Sequence, residues 1–223
     1  MPPRKTLISW STGKDSAWAL HRLRQDPSVE LVGLLTTINA AFGRVAMHGV
    51  RRQLLEQQAA ATGLPLFLLP IPHPCPNEAY ARIMGEFVAQ QVAAGVTAMA
   101  FGDLFLADIR RYRETTLADT GLAPIFPLWG SDTAALAREM IAAGLAGAIA
   151  CLDPRQLPPS FAGRSFDAQL LAELPPGVDP CGENGEFHTF ACAGPMFDRP
   201  LALEPGDVVC RDGFVFCDLK PKT

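Results

Sequence analysis

Six consecutive residues, Ser11-Thr12-Gly13-Lys14-Asp15-Ser16, carry three hydroxyls, a glycine, an ammonium and a carboxylate. They lie between an apolar run, Thr6 to Trp10, and a helical pattern over Asp15 to Arg24 with Ala17, Leu20 and Leu23 at helical spacing. The start of a helix offers unpaired N–H groups and the positive end of its dipole, which suits an anion. Small residues let backbone approach phosphate oxygens closely, and Lys14 adds a point charge on a mobile stem. Lys14 is the one lysine away from the termini, the others being Lys5, Lys220 and Lys222. The turn is not a Walker loop, because position 8 is Ile where that loop needs Gly and position 15 is Asp where it needs Ser or Thr. Nor is it the G-x-G-x-x-G dinucleotide fingerprint. The plainer alternative is a helix start with ordinary polar caps.

A second dense cluster is Cys181-Gly182-Glu183-Asn184-Gly185-Glu186-Phe187-His188-Thr189. If Glu186 to His188 is extended, those two side chains share a face. Such a set suits a substrate amine, ammonia, or a Mg²⁺ ion held between carboxylates and phosphates. A solvated turn rich in Gly, Asn and Glu is the competing reading. Further candidates are scattered: Thr36-Thr37, His48 in Met47-His48-Gly49, Gly102-Asp103, Arg110 in Ile109-Arg110-Arg111-Tyr112-Arg113-Glu114, and Trp129-Gly130. For Arg110 and Trp129, a solvated helix face and interface packing are the alternatives.

These residues need elements to carry them. Strand patterns at Thr6 to Trp10, Glu30 to Thr36, Pro65 to Leu69 and Val96 to Phe101 alternate with helical ones at Asp15 to Arg24, Val50 to Thr62, Glu78 to Ala94 and Ile109 to Thr120. Near-continuous apolar strands alternating with helices imply a doubly wound α/β domain with a parallel sheet covered on both faces. Ligands bind such sheets beyond the carboxyl ends of the strands, where Ser11 to Ser16, Thr36-Thr37 and Gly102-Asp103 fall. The character changes near Pro127, which divides the chain into 1–127 and a smaller α+β part over 128–223. In that part a helix is expected over Ser131 to Ala143 with Ser131 as N-cap. Beyond it come a strand over Leu145 to Cys151, a loop over Leu157 to Gly163, a short helix over Phe166 to Leu174, and a hairpin of Val208–Cys210 with Phe214–Cys217.

Composition narrows the function classes. The chain has 223 residues, 48% of them hydrophobic, enough for a sizeable core. The net charge is −4 and there is no run of Lys and Arg, which argues against nucleic acid as a partner. None of the six cysteines forms a C-x-x-C pair, so a zinc or redox site is not indicated. With no apolar leader and no apolar run long enough for a bilayer, a soluble cytoplasmic protein is expected, without a membrane partner. A homodimer is the default for a soluble enzyme. The scarcity of lysine and the wealth of Ala, Leu and Pro suit a GC-rich bacterial genome.

The turn Ser11 to Ser16 resembles the S-G-G-x-D-S pyrophosphate loop of the N-type ATP pyrophosphatases, with Thr12 replacing the first glycine. Together with Gly102-Asp103, Arg110-Arg111, Pro127-Leu128-Trp129-Gly130 and Cys181 to Thr189, in that order, it resembles the diphthine–ammonia ligase family over nearly the whole chain. The resemblance implies an adenine nucleotide α-hydrolase-like domain of five parallel strands followed by a family-specific domain. It also implies ATP with Mg²⁺ as cofactors, and ammonia with a small-molecule or modified-residue carboxylate as substrates. AMP and pyrophosphate would be released. By that resemblance Ser11, Thr12, Gly13, Lys14, Asp15, Ser16, Thr36, Thr37, Gly102 and Asp103 contact the nucleotide, while His48, Arg110, Trp129, Glu183, Asn184, Glu186 and His188 surround the acceptor. Lys14, Asp15, Glu186 and His188 carry the chemistry, Glu186 or His188 taking a proton from the incoming ammonium. Family members carry E-G-G-E-Y-E-T where this chain has Glu183 to Thr189, so His188 stands in place of an acid. The rival expectations are an amidoligase acting on another acceptor such as a corrinoid precursor, a tRNA thiolase, a nucleotide sensor without turnover, and an amidohydrolase without ATP.

Overall fold

The computed structural model describes residues 2–222; Met1 and Thr223, which open and close the two expected regions, lie outside the described residues. Strand β1 (Arg4–Ser9) leads through the phosphate-type turn into helix α1 (Lys14–Arg24). There follow β2 (Val29–Asn39), β3 (Arg44–Val45), α2 (Arg52–Thr62), β4 (Leu66–Ile71), α3 (Asn77–Ala93), β5 (Ala98–Ala100), α4 (Ala107–Leu117) and β6 (Ala123–Ile125). Strands β4-β2-β1-β5-β6 form a parallel sheet in that order. The chain winds outward from β1 in both directions, so the topological switch lies between β1 and β5, where a ligand crevice is expected.

The sheet has six strands rather than five. β3 adds an antiparallel pair to β2 at Ile38 and Asn39, beyond the last β1 partner, Leu35. β4 pairs with the same stretch of β2 from the other side. β3 therefore takes over the edge of β2 that β1 leaves when it turns into Ser11 to Ser16. Two residues are too short to produce a legible period.

Alternation along β1 sends Leu7 and Ile8 into different cores. Leu7 joins Leu35, Phe87, Met99 and Leu122 under α3 and α4. Ile8 joins Trp18, Leu54, Leu136, Phe187 and Phe190, a core that continues from the first sheet into the C-terminal part. Helix α1 is buried nearly all round, including Lys14, Ser16, Trp18, Ala19 and Leu20. That pattern belongs to a helix held between two layers rather than one facing water.

The second layer follows α5 (Thr133–Ala142): β7 (Ala146–Leu152), α6 (Ala168–Glu173), β8 (Phe187–Ala193), β9 (Leu203–Glu204), β10 (Val208–Arg211), β11 (Phe214–Cys217) and β12 (Lys220–Pro221). β10-β11-β7-β8 is antiparallel, and the expected hairpin is its β10–β11 edge. Several local expectations shift. Asp132, not Ser131, caps α5, its carboxylate accepting from the Ala135 N–H at 2.7 Å. The loop after β7 holds a 3₁₀ turn at Pro159–Phe161. α4 begins at Ala107 and ends at Leu117. No helix among the described residues is long and apolar enough to cross a membrane.

One buried amide ties these layers together. Gln58 of α2 accepts from Trp10 Nε1 at 2.7 Å and donates to the carbonyls of Thr12 at 3.0 Å and Ala191 at 2.6 Å. It is fully buried. Truncation leaves three buried polar groups short of a partner, each costing on the order of 1 kcal/mol. Gln58→Ala is expected to lower the unfolding temperature by roughly 5 to 10 °C, as read by differential scanning calorimetry.

Candidate functional site at the start of helix α1

The turn begins with a strained residue. Thr12 has φ of 72°, a left-handed conformation that β-branched side chains rarely adopt. Its carbonyl is clamped by two donors, Gln58 Nε2 and the Ala191 N–H at 2.9 Å. Threonine thus adopts here the backbone that a glycine would take without strain, because α2 and β8 hold the peptide in place. The Thr12 side chain is fully buried, and its Oγ1 has no hydrogen-bond partner.

Strand β8 lies along the next residues. The Lys14 N–H donates to Thr189 Oγ1 at 3.0 Å. A Cβ on Gly13 would come within 3.2 Å of the Thr189 carbonyl oxygen and 3.4 Å of His48 Cε1. Ser16 Oγ donates to the Gly13 carbonyl at 3.0 Å and lies 3.1 Å from Ser11 Oγ, so the two serines brace the turn. Asp15 and Ser16 supply the remaining first-turn N–H groups of α1. On the other side, a Cβ on Gly102 would sit 2.9 Å from the Asp15 carbonyl carbon and the Ser16 nitrogen. The segment after β5 therefore approaches α1 as closely as backbone allows, and only glycine fits there.

The Lys14 side chain differs from the mobile charge expected of it. It is 1% exposed and runs into the interior. Its Nζ donates to Asp15 Oδ2 at 2.9 Å and to the Cys181 carbonyl, with the rings of Phe187 and Phe166 at 5.3 and 5.6 Å. Burial is the largest influence and lowers its pKa, but Asp15, by charge and hydrogen bond, together with Cys181 and Glu183 outweighs it and holds the ammonium above the usual lysine value. Lys14 is thus a charged tie between the turn and the loop at Cys181. The other Asp15 oxygen, Oδ1, is buried without a partner.

The acidic loop divides its labour. Glu183 Oε1 accepts from the Leu104 N–H at 2.7 Å, which brings the loop against the end of β5. Burial pushes the Glu183 carboxyl up to about 7, with Asp15 and Asp103 adding repulsion against the Leu104 hydrogen bond. Glu186 is 1% exposed; its Oε1 accepts from the Asp179 N–H at 2.8 Å and from the Asn184 amide at 3.2 Å, while Oε2 is unpartnered. Asn184 itself is exposed. His188 packs instead on His48, ring centroids 4.6 Å apart. Burial pushes His188 down to about 4 and His48 well below its usual value, so both rings are neutral at pH 7. Glu186 and His188, grouped by spacing, engage different partners.

The remaining candidates lie around this centre. Thr36 spends its hydroxyl on the Trp10 carbonyl at 2.7 Å, and Thr37 beside it is half-buried. Asp103 faces Arg113 at 3.5 Å, too loose for a hydrogen bond, and burial raises its pKa. Arg110 stacks over Phe126 and Trp129 at 4.9 and 4.7 Å and pairs with Glu114 at 2.8 Å. Arg110 and Trp129 are therefore mutual packing partners. Gln58 and Asp179 carry no chemical signature in the sequence, and Thr189, which closes the acidic cluster there, has no local sign that its hydroxyl takes the Lys14 N–H. Among the described residues, no group of three or more His, Cys, Asp and Glu is arranged to hold a metal.

The architecture defines the class: a Rossmann-like adenine nucleotide α-hydrolase fold with an antiparallel C-terminal sheet. Residues 4–123 match the model of the diphthamide synthase N-terminal domain and residues 132–220 that of the diphthamide synthase C-terminal domain. The chain belongs to the diphthamide synthase family. It is 32% identical over 118 residues to a protein of Danio rerio named diphthine–ammonia ligase, a match covering 50% of this chain and 46% of that protein. The Homo sapiens protein of the same name is 31% identical over 117 residues, covering 50% and 44%. The chain spans about half the length of the curated relatives it matches.

Two outcomes test this geometry. Removing one member of a buried ion pair costs roughly 3 to 5 kcal/mol, so Lys14→Ala is expected to lower the unfolding temperature by about 10 °C. A solvent-facing lysine would change it little. For Glu183 the sign runs against folding at high pH. Its folded pKa of about 7 exceeds the unfolded value, so the native state binds the extra proton between them and stability falls as pH rises from 4.5 to about 7. Glu183→Gln should therefore stabilise the protein at pH 8, by on the order of 2 kcal/mol, and the gain should vanish near pH 4.5. Calorimetry across pH reads this out, and carboxyl NMR should show Glu183 titrating near 7.

Proposed function

We propose that the chain is an ATP-dependent carbon–nitrogen ligase. In this reading it cleaves ATP between the α and β phosphates, adenylates a carboxylate and passes the acyl group to ammonia. The observation that carries the proposal is a set of buried polar atoms without partners around one helix start. Thr12 Oγ1 and Asp15 Oδ1 lie on the turn and His48 Nδ1 on the ring against Gly13, whereas Asp103 Oδ2, beside Gly102, has Arg113 at 3.5 Å. Leaving such groups unpaired costs each on the order of 1–3 kcal/mol, and a bound ligand satisfies them. Their position at the β1–β5 switch of an α/β sheet is where a nucleotide belongs. The family relatives' name, diphthine–ammonia ligase, points the same way.

The residues fit ATP and Mg²⁺. Thr12 Oγ1 and the Asp15 and Ser16 N–H groups would hold phosphate oxygens at the positive end of α1. Asp15 Oδ1 is a hard oxygen donor suited to Mg²⁺ shared with the phosphates. Mg²⁺ there supplies neutralisation of the charge that develops on departing pyrophosphate. Lys14, held beneath the turn, adds fixed positive potential from inside rather than a moving contact. Thr37 and Gly102 would border the adenosine.

A carboxylate is a poor acyl donor because oxide leaves badly. Its attack on the α-phosphate makes an acyl-adenylate and releases pyrophosphate; ammonia then displaces AMP. Ammonium must lose a proton before it attacks, and Glu183, with its pKa near 7, is better matched to take it than His188, which burial holds down near 4. Glu186 instead would position the loop through Asp179 and Asn184.

ATP labelled at the α-phosphate, incubated with ammonium and a mixture of carboxylic acids, is expected to yield AMP. ADP as the product would overturn the assignment, and binding without any cleavage would leave a sensor. The Thr12→Val variant keeps shape and removes a hydroxyl that nothing in the protein uses. It should weaken binding of α,β-methylene-ATP about tenfold, the worth of one charge-assisted hydrogen bond, without lowering the unfolding temperature.

A further inference from the structure

The turn Val45 to Val50 connects the proposed nucleotide site to a separate cavity. Met47 has φ of 65° and Gly49 φ of 66°, and two short returns close the turn: His48 N–H to the Ala46 carbonyl at 2.8 Å and Gly49 N–H to the Val45 carbonyl at 3.0 Å. This strained turn sends neighbouring side chains to different places. His48 goes inward against Gly13 and His188. Met47 goes outward, 75% exposed, onto the wall of a cavity of about 450 Å³. His188 lines that cavity too, so the tilted pair of neutral rings, His188 and His48, lies between it and the phosphate turn.

The cavity lies between the β2–β3 edge and the β10–β11 hairpin. Its walls are largely carbon, from Phe42, Met47, Ile71, Val209, Phe214 and Phe216. Phe42, Met47 and Val209 are large apolar side chains exposed on the surface, and all three face this space. The frame is pinned. Asp218 at the base of the hairpin accepts from Arg44 at 2.9 Å and from Arg51 at 2.9 and 2.6 Å. The Phe216 ring lies where a Cβ on Gly49 would be, at 2.8 Å, so the hairpin seats directly on the strained turn. A pre-formed, mainly apolar cavity of this size with a polar group at its inner end is the general form of a small-molecule site.

We infer that this cavity holds the apolar body of the acceptor, a small carboxylic acid whose hydrocarbon end packs on Met47, Phe216 and Val209 and whose carboxylate reaches past His188 towards the turn at Gly13. The inference rests on the ligase reading for the identity of the reacting end, while the cavity is tested on its own. The occupant is a free small molecule with an apolar body rather than a polar acid such as succinate, because the walls are largely carbon and the lining charges are the Arg44–Asp218 pair, which satisfy each other, and Asp207, Arg211 and Asp212, which together carry a net negative charge and offer no net attraction to a second carboxylate.

The probe is octanoate, titrated calorimetrically into the full chain with α,β-methylene-ATP and Mg²⁺ present. Succinate and octyltrimethylammonium serve as controls. Octanoate is expected to bind at least tenfold tighter than succinate. Met47→Asp keeps the left-handed backbone, which Asp tolerates, and places a carboxylate in the wall. It should weaken octanoate about tenfold or more, the effect of losing one buried apolar contact, and leave the affinity for the nucleotide analogue unchanged. Equal binding of octanoate and succinate, tighter binding of the cationic probe, no binding of octanoate, or octanoate binding untouched by Met47→Asp would each overturn the inference. Failure of the analogue to bind the unmutated protein is a separate result that strikes the ligase reading itself; octanoate alone then still reports on the cavity.

Discussion

A buried ammonium governs this molecule. Burying an unpaired charge costs several kcal/mol, so Lys14 must be met by Asp15, the Cys181 carbonyl and two aromatic faces at once. Those partners come from three places in the chain: the turn itself, the loop before β8, and α6 with its approach. The requirement therefore fixes the C-terminal sheet on the first one. It also explains why β8 runs close enough for Thr189 to take the Lys14 N–H and Ala191 to reach the Thr12 carbonyl. The same contacts force Thr12 into its left-handed backbone. Strain at the turn and charge beneath it are two results of one packing decision.

The electrostatics of the loop follow from the same closure. Once the two sheets meet, Glu183 sits in a low-dielectric seam with Asp15 and Asp103 nearby, and its proton is held more tightly than in water. His48 and His188, packed on each other in the seam, shed theirs. A carboxyl near neutrality and two neutral imidazoles thus arise within one region from burial alone. His188 contributes a neutral ring to the wall of a largely apolar cavity.

Much of the fold was legible in the sequence. Strand and helix periods in the first half are long and apolar, and they specified the parallel sheet and the position of the turn. The hairpin at Arg211-Asp212-Gly213 was legible from its turn chemistry, with Asp212 and Gly213 both at positive φ. The site was legible as residue types but not as geometry. Lys14 reads as a phosphate contact because its neighbours in sequence are small and polar; nothing local discloses that Cys181, 167 residues away, supplies its acceptor. Gln58 reads as one polar position on a helix, although it holds three elements together. Arg110 and Trp129 read as ligand contacts or as packing residues, and the two pack on each other. In each case the missing information is a long-range contact, which periodicity does not encode.

The chain's two family domains also bear on how the site works. The turn and crevice belong to the first, residues 4–123, and Glu183, His188 and Thr189 to the second, residues 132–220. Neither half carries a complete set: the first alone would leave Lys14 without its Cys181 acceptor and the Thr12 carbonyl without the Ala191 donor, and the second alone lacks the turn and the start of α1. Because the hydrophobic core runs unbroken through Ile8, Leu54, Leu136 and Phe190, separating the halves would expose that surface as well as dismantle the site. The interface is thus where stability and chemistry coincide. Met47, Val209 and Phe42, on the cavity wall, lie outside that shared core.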